Sequence, residues 1–131
     1  MTGSLVVLDT NVVVALLNGD PKITPWLASF PILCIPMPVI GELQFGALNS
    51  SRPADNLSRI QKLLGSSRAL ETTLLTARCY ADVRLELKRK ARPIPENDIW
   101  IAASALEHGL PLATRDAHFS HVDGITLLPP P

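Results

Sequence analysis

A chain of 131 residues, 47% hydrophobic and 18% charged, has the size and composition of one folded domain, not of a disordered protein. Twelve basic and twelve acidic residues cancel, so bulk charge selects neither nucleic acid nor a membrane surface as partner. No apolar run approaches the roughly 20 residues of a membrane span, and Met1-Thr2-Gly3-Ser4 lacks the positive segment of a secretion signal, so a cytoplasmic protein is expected.

Leu5-Val6-Val7-Leu8 is a short β-branched run ending at Asp9, the pattern of a buried strand. Asp9-Thr10-Asn11 offers capping side chains to a helix through Val12–Leu17, stopped by Asn18-Gly19-Asp20-Pro21. A second short helix is expected from Trp26 to Phe30, and a second strand at Ile32–Ile35. Pro38 sits where a helix can begin without an N–H, and that helix runs to about Leu48. Pro53 opens another, reaching Leu64 and closed by Gly65. Ala69-Leu70-Glu71 reads as a brief strand. Thr72–Lys90 is the longest helix, with Tyr80, Val83 and Leu87 on one face. Beyond Pro93 and Pro95, Glu96–His108 is helical, with Gly109 as its stop. Leu110–Ala113 leads a strand into Thr114, and Ile125–Leu128 makes the last one. Pro129-Pro130-Pro131 cannot extend a ladder and is expected to cap the sheet edge as an extended tail. Strands alternating with helices imply an α/β fold whose parallel sheet is covered on both faces, one domain over residues 1–131.

Four separated acids stand out. Asp9 and Asp116 follow candidate strands, where each could simply cap the next turn. Glu42 lies in the mostly apolar Val39–Ala47 helix, so it needs a solvent stripe or a partner. Asp98 opens the Ile99–Leu106 helix, where the helix dipole already favours negative charge. Taken together they are more informative. Ligands of open α/β sheets bind outside the carboxyl ends of the strands, and all four acids can reach that rim.

Crowded carboxylates repel unless a cation neutralises them. Hard oxygen donors select Mg²⁺ or Mn²⁺ over zinc, and no histidine–cysteine cluster competes. An ion held there, together with substrate phosphate oxygens, can activate a water for attack on phosphorus. Setting the four acids aside from the twelve leaves the twelve basic residues in surplus by four, a balance compatible with RNA.

The segments Leu8-Asp9-Thr10-Asn11, Glu42, Asn97-Asp98-Ile99-Trp100-Ile101-Ala102-Ala103 and Thr114-Arg115-Asp116-Ala117-His118-Phe119 carry a resemblance. In that order and spacing the chain resembles the bacterial PIN-domain family, and within it the VapC-type toxins of toxin–antitoxin pairs. The Asp-Thr-Asn is common, whereas the later block is specific. The resemblance spans nearly the whole chain. It implies a three-layer PIN-like sandwich, with a short central parallel sheet flanked by helices. It also implies a metal-dependent endoribonuclease, usually a homodimer, inhibited by a small cognate antitoxin. Asp9 and Asp98 then match the principal metal ligands, with Glu42 and Asp116 completing the acidic site. Asn11 and Thr114 match polar positions that orient the acids or the attacking water.

Other features are read more plainly. Arg115 is the cation best placed for a phosphate. Lys88-Arg89-Lys90-Ala91-Arg92 is either a solvated helix end or a phosphate contact. His108, His118 and His121 are expected in surface or capping roles, Trp26 and Trp100 in packing, and Cys34 and Cys79 as buried thiols. Two rival functions remain. A phosphatase with an aspartyl nucleophile normally places a second Asp two residues on, where Asn11 stands. A non-catalytic binding module of the same fold requires the acids to be dispersed or unable to hold metal.

Overall fold

The computed structural model describes residues 5–131; residues 1–4, which carry the reading of an absent secretion signal, lie outside the described residues. In chain order the elements are β1 (Leu5–Leu8), α1 (Thr10–Leu17), α2 (Ile23–Ala28), β2 (Ile32–Pro36), α3 (Met37–Leu48), α4 (Pro53–Gly65) and β3 (Arg68–Leu70). There follow α5 (Leu74–Lys90), α6 (Glu96–His108), β4 (Leu112–Ala113), a 3-10 turn (Ala117–His121) and β5 (Leu127–Leu128). The five strands form one parallel sheet in the order β3-β2-β1-β4-β5, flanked by the helices.

The apolar run of β1 makes it the centre. Val6, Val7 and Leu8 are fully buried, with Val7 paired to Cys34 of β2 on one side and Leu112 of β4 on the other. Fully buried parallel strands read as continuous hydrophobic runs, and this one does. The chain lays down β1, β2 and β3 toward one edge, then returns past β1 to lay down β4 and β5 toward the other. The order therefore reverses between β1 and β4, and a crevice opens at that switch point beyond the strand ends. Asp9 follows β1 and Thr114 follows β4, so both stand at its mouth.

Helix α6 is buried through Ile101, Ala102, Ala103, Ser104 and Ala105. The alanines let it lie close to its neighbours. Against α5 it packs partly through Trp100, whose ring stacks on Tyr80 with centroids 4.0 Å apart and planes 16° from parallel.

Several boundaries differ from expectation for local reasons. Helix α1 starts at Thr10, because Asp9 itself is the cap. Helix α2 starts at Ile23, ahead of the expected Trp26. Asp20 Oδ1 accepts the N–H groups of Lys22 (2.9 Å) and Ile23 (3.1 Å) and fixes the chain there. Helix α5 starts after Thr73, which exchanges hydrogen bonds with Thr76 in a capping box. Strand β3 is shifted back by one residue. Strand β4 is cut to Leu112–Ala113, since Pro111 has no N–H for the ladder, although its carbonyl accepts from Val7 N at 2.9 Å. The last strand shrinks to Leu127–Leu128 and is an edge, with the three prolines directly beyond it. Cys34 is buried as expected, whereas Cys79 is only partly covered. No helix among the described residues is long and apolar enough to cross a membrane.

Candidate metal centre

Asp9 is the fixed point of the site. It caps α1 in extended backbone geometry, and its side chain is 4% exposed. Its Oδ1 accepts from Thr10 N at 2.8 Å. Its Oδ2 accepts from the Thr114 hydroxyl at 2.7 Å and the Asn11 amide at 3.1 Å. A carboxylate offers about four lone pairs, so these three donors orient Asp9 and still leave capacity for a cation. The expected cap role and a site role are therefore compatible.

Thr114 ties two acids together. While donating to Asp9 it accepts from Asp116 N at 2.9 Å. Asp116 in turn caps the 3-10 turn through His118 N, again at 2.9 Å. Asn11 links the same strands from the other side, its Oδ1 accepting from Arg115 N at 3.2 Å. The Arg115 guanidinium pairs with Asp20 (3.4 Å) and with the carbonyl of Pro131 (3.0 Å), and among the described residues it pairs with none of the four acids. Its backbone, more than its charge, is what touches the site.

Glu42 is exposed on α3 and accepts from the Thr10 hydroxyl at 3.0 Å and from the Asn97 amide. One carboxylate thus joins α1, α3 and α6. Asp98, one residue on from Asn97, is half-buried, and its carboxylate makes no hydrogen bond among the described residues.

The four acids lie near enough to perturb one another's charge. Burial pushes Asp98 up to about 6 from the usual 3.8, and repulsion from Asp9, Asp116 and Glu42 adds to it. Asp9 is also raised, chiefly by burial, with Asp116 and Glu42 contributing and its own hydrogen bonds opposing. The acids are gathered, not dispersed.

His118 is exposed, as expected, and its ring also borders the site: Nδ1 lies 2.9 Å from Asp116 Oδ1, and Asp98, Asp116 and His118 present ligand atoms within 4.8 Å of one another. Thr10 and Asn97 were not singled out from the sequence. The Asp-x-His spacing at 116–118 and the Asn beside Asp98 were the available signals. His108 behaves as expected, its ring nitrogen 2.9 Å from Ser104 O at the end of α6.

A donor set of carboxylates with one imidazole, gathered at the switch point of a parallel sheet and mutually repelling, fits a hard divalent cation. Comparison with known proteins agrees with this fold. The family model for the PIN domain matches residues 6–125. The chain belongs to the PIN-domain family. All four acids of this PIN domain fall inside the matched range.

Among its relatives, a VapC ribonuclease of Sinorhizobium fredii, Y4jK, is 30% identical, over 96% of this chain and 97% of that protein. Ribonuclease VapC2 of Rickettsia felis is 31% identical, over 83% of this chain and 84% of its own length. In three dimensions this PIN domain is similar to the crystal structure of DNA-bound VapBC from Salmonella typhimurium. There the TM-score is 0.87 at 27% identity, with 98% of each chain covered.

Proposed function

We infer that this PIN domain is an endoribonuclease that hydrolyses RNA phosphodiester bonds, the toxin of a cytoplasmic toxin–antitoxin pair. The observation that carries the reading is the meeting of Asp9, Glu42, Asp98 and Asp116 at the β1/β4 switch point, in a chain similar over nearly its whole length to VapC ribonucleases.

Asp9, Asp98, Asp116 and Glu42 would hold Mg²⁺ or Mn²⁺, directly or through water. When bound, the ion supplies charge stabilisation at a phosphate and a more acidic water at neutral pH. The chain's own groups do the rest. Thr10 N, Asn11 and Thr114 hold Asp9 in one orientation, so no reorganisation is needed when substrate arrives. Thr10 and Asn97 hold Glu42 by its Oε1 at the exposed rim, leaving Oε2 to take a proton from an attacking water. Asp98 carries a proton on a fraction of molecules near neutral pH in the absence of a cation, and loses it to bind one. Arg115 contributes a phosphate contact only by leaving Asp20.

The phosphatase reading finds no support at Asp9, which lies buried under Thr10, Asn11 and Thr114 donors with no second Asp two residues on. The test of the nuclease reading is direct. Purified protein should cut single-stranded RNA with Mg²⁺ or Mn²⁺ and stop when EDTA is added; cleavage that persists in EDTA would refute metal dependence.

The partner reading has a surface to go with it. An apolar groove of about 250 Å³ runs between α1, α3 and α4 through Val14, Leu17, Leu43, Ala47 and Ile60, and ends at Thr10 and Glu42. An antitoxin segment with apolar side chains, seated there, would cover the acidic site; a second copy of the toxin completes a homodimer elsewhere. Gly46 lines the groove, and a Cβ added to it meets nothing within 4 Å. Gly46→Leu, which fills the groove without adding a charge one turn from Glu42, should therefore leave RNA cleavage intact and weaken capture of the cognate antitoxin at least about tenfold. Equal capture by both proteins, measured by calorimetry, would place the antitoxin elsewhere.

A further inference from the structure

One donor at the acidic site is of a different kind from the rest. The 3-10 turn Ala117–His121 is capped by Asp116, whose Oδ1 accepts the backbone N–H of His118, so the turn sets both side chains toward the same space. The His118 ring is exposed and reaches back, with Nδ1 2.9 Å from Asp116 Oδ1. Two donors at right angles around an octahedral ion, each about 2.1 Å from it, stand about 3.0 Å apart, and opposite donors about 4.2 Å. The Nδ1–Oδ1 spacing is that of adjacent ligands. The donor atoms of Asp98, Asp116 and His118 all lie within 4.8 Å of one another, so drawing them onto one ion takes shifts of at most roughly half an ångström.

We propose that His118 is a nitrogen ligand of the divalent ion beside Asp98 and Asp116, and that it biases this site toward Mn²⁺ over Mg²⁺. The proposal rests on the metal-dependent reading of the preceding subsection and adds to it the identity of a ligand and of the favoured ion. Mg²⁺ takes hard oxygens in strict octahedra and keeps its waters. Imidazole gives a transition ion a bond that Mg²⁺ gains little from. A neutral imidazole nitrogen can donate to a carboxylate or accept a cation, not both at once. Nδ1 would serve as a ligand with its lone pair turned from Asp116 toward the ion and the ring proton on Nε2. The competing role, a ring that only orients Asp116, leaves Nδ1 protonated and off the ion.

Pulsed electron paramagnetic resonance on the full-length protein loaded with Mn²⁺ separates the two roles, because a bound imidazole imprints a ¹⁴N coupling on the ion. The coupling is expected in the wild type, retained in His108→Gln and His121→Gln, and absent in His118→Gln. In parallel titrations His118→Gln should weaken Mn²⁺ binding on the order of tenfold and Mg²⁺ binding little. Mn²⁺ bound without nitrogen coupling, or with coupling that survives His118→Gln, overturns the proposal and leaves the carboxylate site standing. A protein that binds no Mn²⁺ overturns both.

Discussion

Asp98→Asn is expected to reduce RNA cleavage by at least about a hundredfold, the scale on which an electrostatic group in the reacting shell is lost, while the protein stays folded. Both halves follow from how Asp98 is placed. Its carboxylate makes no hydrogen bond among the described residues, so the amide removes no structural contact. Its backbone N–H is already satisfied by Pro95 O at 3.0 Å. The change does remove a negative charge from the first turn of α6, where the dipole favours one by about 0.3–1 kcal/mol. That loss is offset by relief of repulsion from Asp9, Asp116 and Glu42. A carboxamide can still hydrogen-bond, but it cannot supply the charge that a divalent ion needs. A cleavage assay on both proteins, paired with circular dichroism, checks this. Cleavage within about threefold of wild type would remove Asp98 from the site, since such a change is below 1 kcal/mol of barrier.

The second large effect concerns stability, pH and the ion. Asp98 and Asp9 are both raised above the ordinary carboxylate value, Asp98 to about 6. A raised acid binds its proton more tightly in the folded state, so its stabilising contribution is complete below about pH 4 and is lost as pH rises through about 6. Metal-free protein should therefore lose melting temperature across that window. Asp20 and Asp123 are lowered and act in the opposite sense, losing their contribution as pH falls. The Asp98 part is thus isolated by difference: Asp98→Asn should melt higher than wild type near about pH 7 and show a flatter profile. Adding Mg²⁺ or Mn²⁺ at about a hundred times its dissociation constant should restore the wild type by about 2.7 kcal/mol, roughly 10 °C for a domain of this size. The ion should move Asp98→Asn much less. Melting curves that ignore both pH in this range and added ion would mean that the acids do not repel one another in the fold.

Much of the architecture was legible because it is written locally. The β-branched run Leu5–Leu8, the prolines at 38 and 53 and the glycine at 109 mark element ends by their own backbone chemistry. The helix at Glu96–His108 ran between those limits as read. Asp9, Asp98 and Asp116 were legible because each follows or opens an apolar element, and Glu42 because a carboxylate within a mostly apolar helix needs a partner. What escaped was non-local. Thr10 meets Glu42 across 32 residues, Asn97 meets Glu42 across 55, and Thr114 meets Asp9 across 105. The last pair exists because β4 pairs with β1, and the first two because α1 and α6 both pack on α3, arrangements no local signal encodes. The 3-10 turn that brings His118 to Asp116 escaped for another reason. It is five residues long, held by an Asp cap, and carries no periodicity to detect. The start of α2 was misplaced because Asp20, read as part of a stop, also organises the turn that follows it.

The central claim is that one divalent ion is shared by acids far apart in sequence. Anomalous diffraction from crystals grown with Mn²⁺ tests it most directly. The account predicts a single strong peak between the carboxylates of Asp9, Asp98 and Asp116, with protein oxygens at about 2.0–2.4 Å and Glu42 in contact directly or through water. No peak at the mouth of the β1/β4 crevice, or a peak bound by other residues, would contradict it.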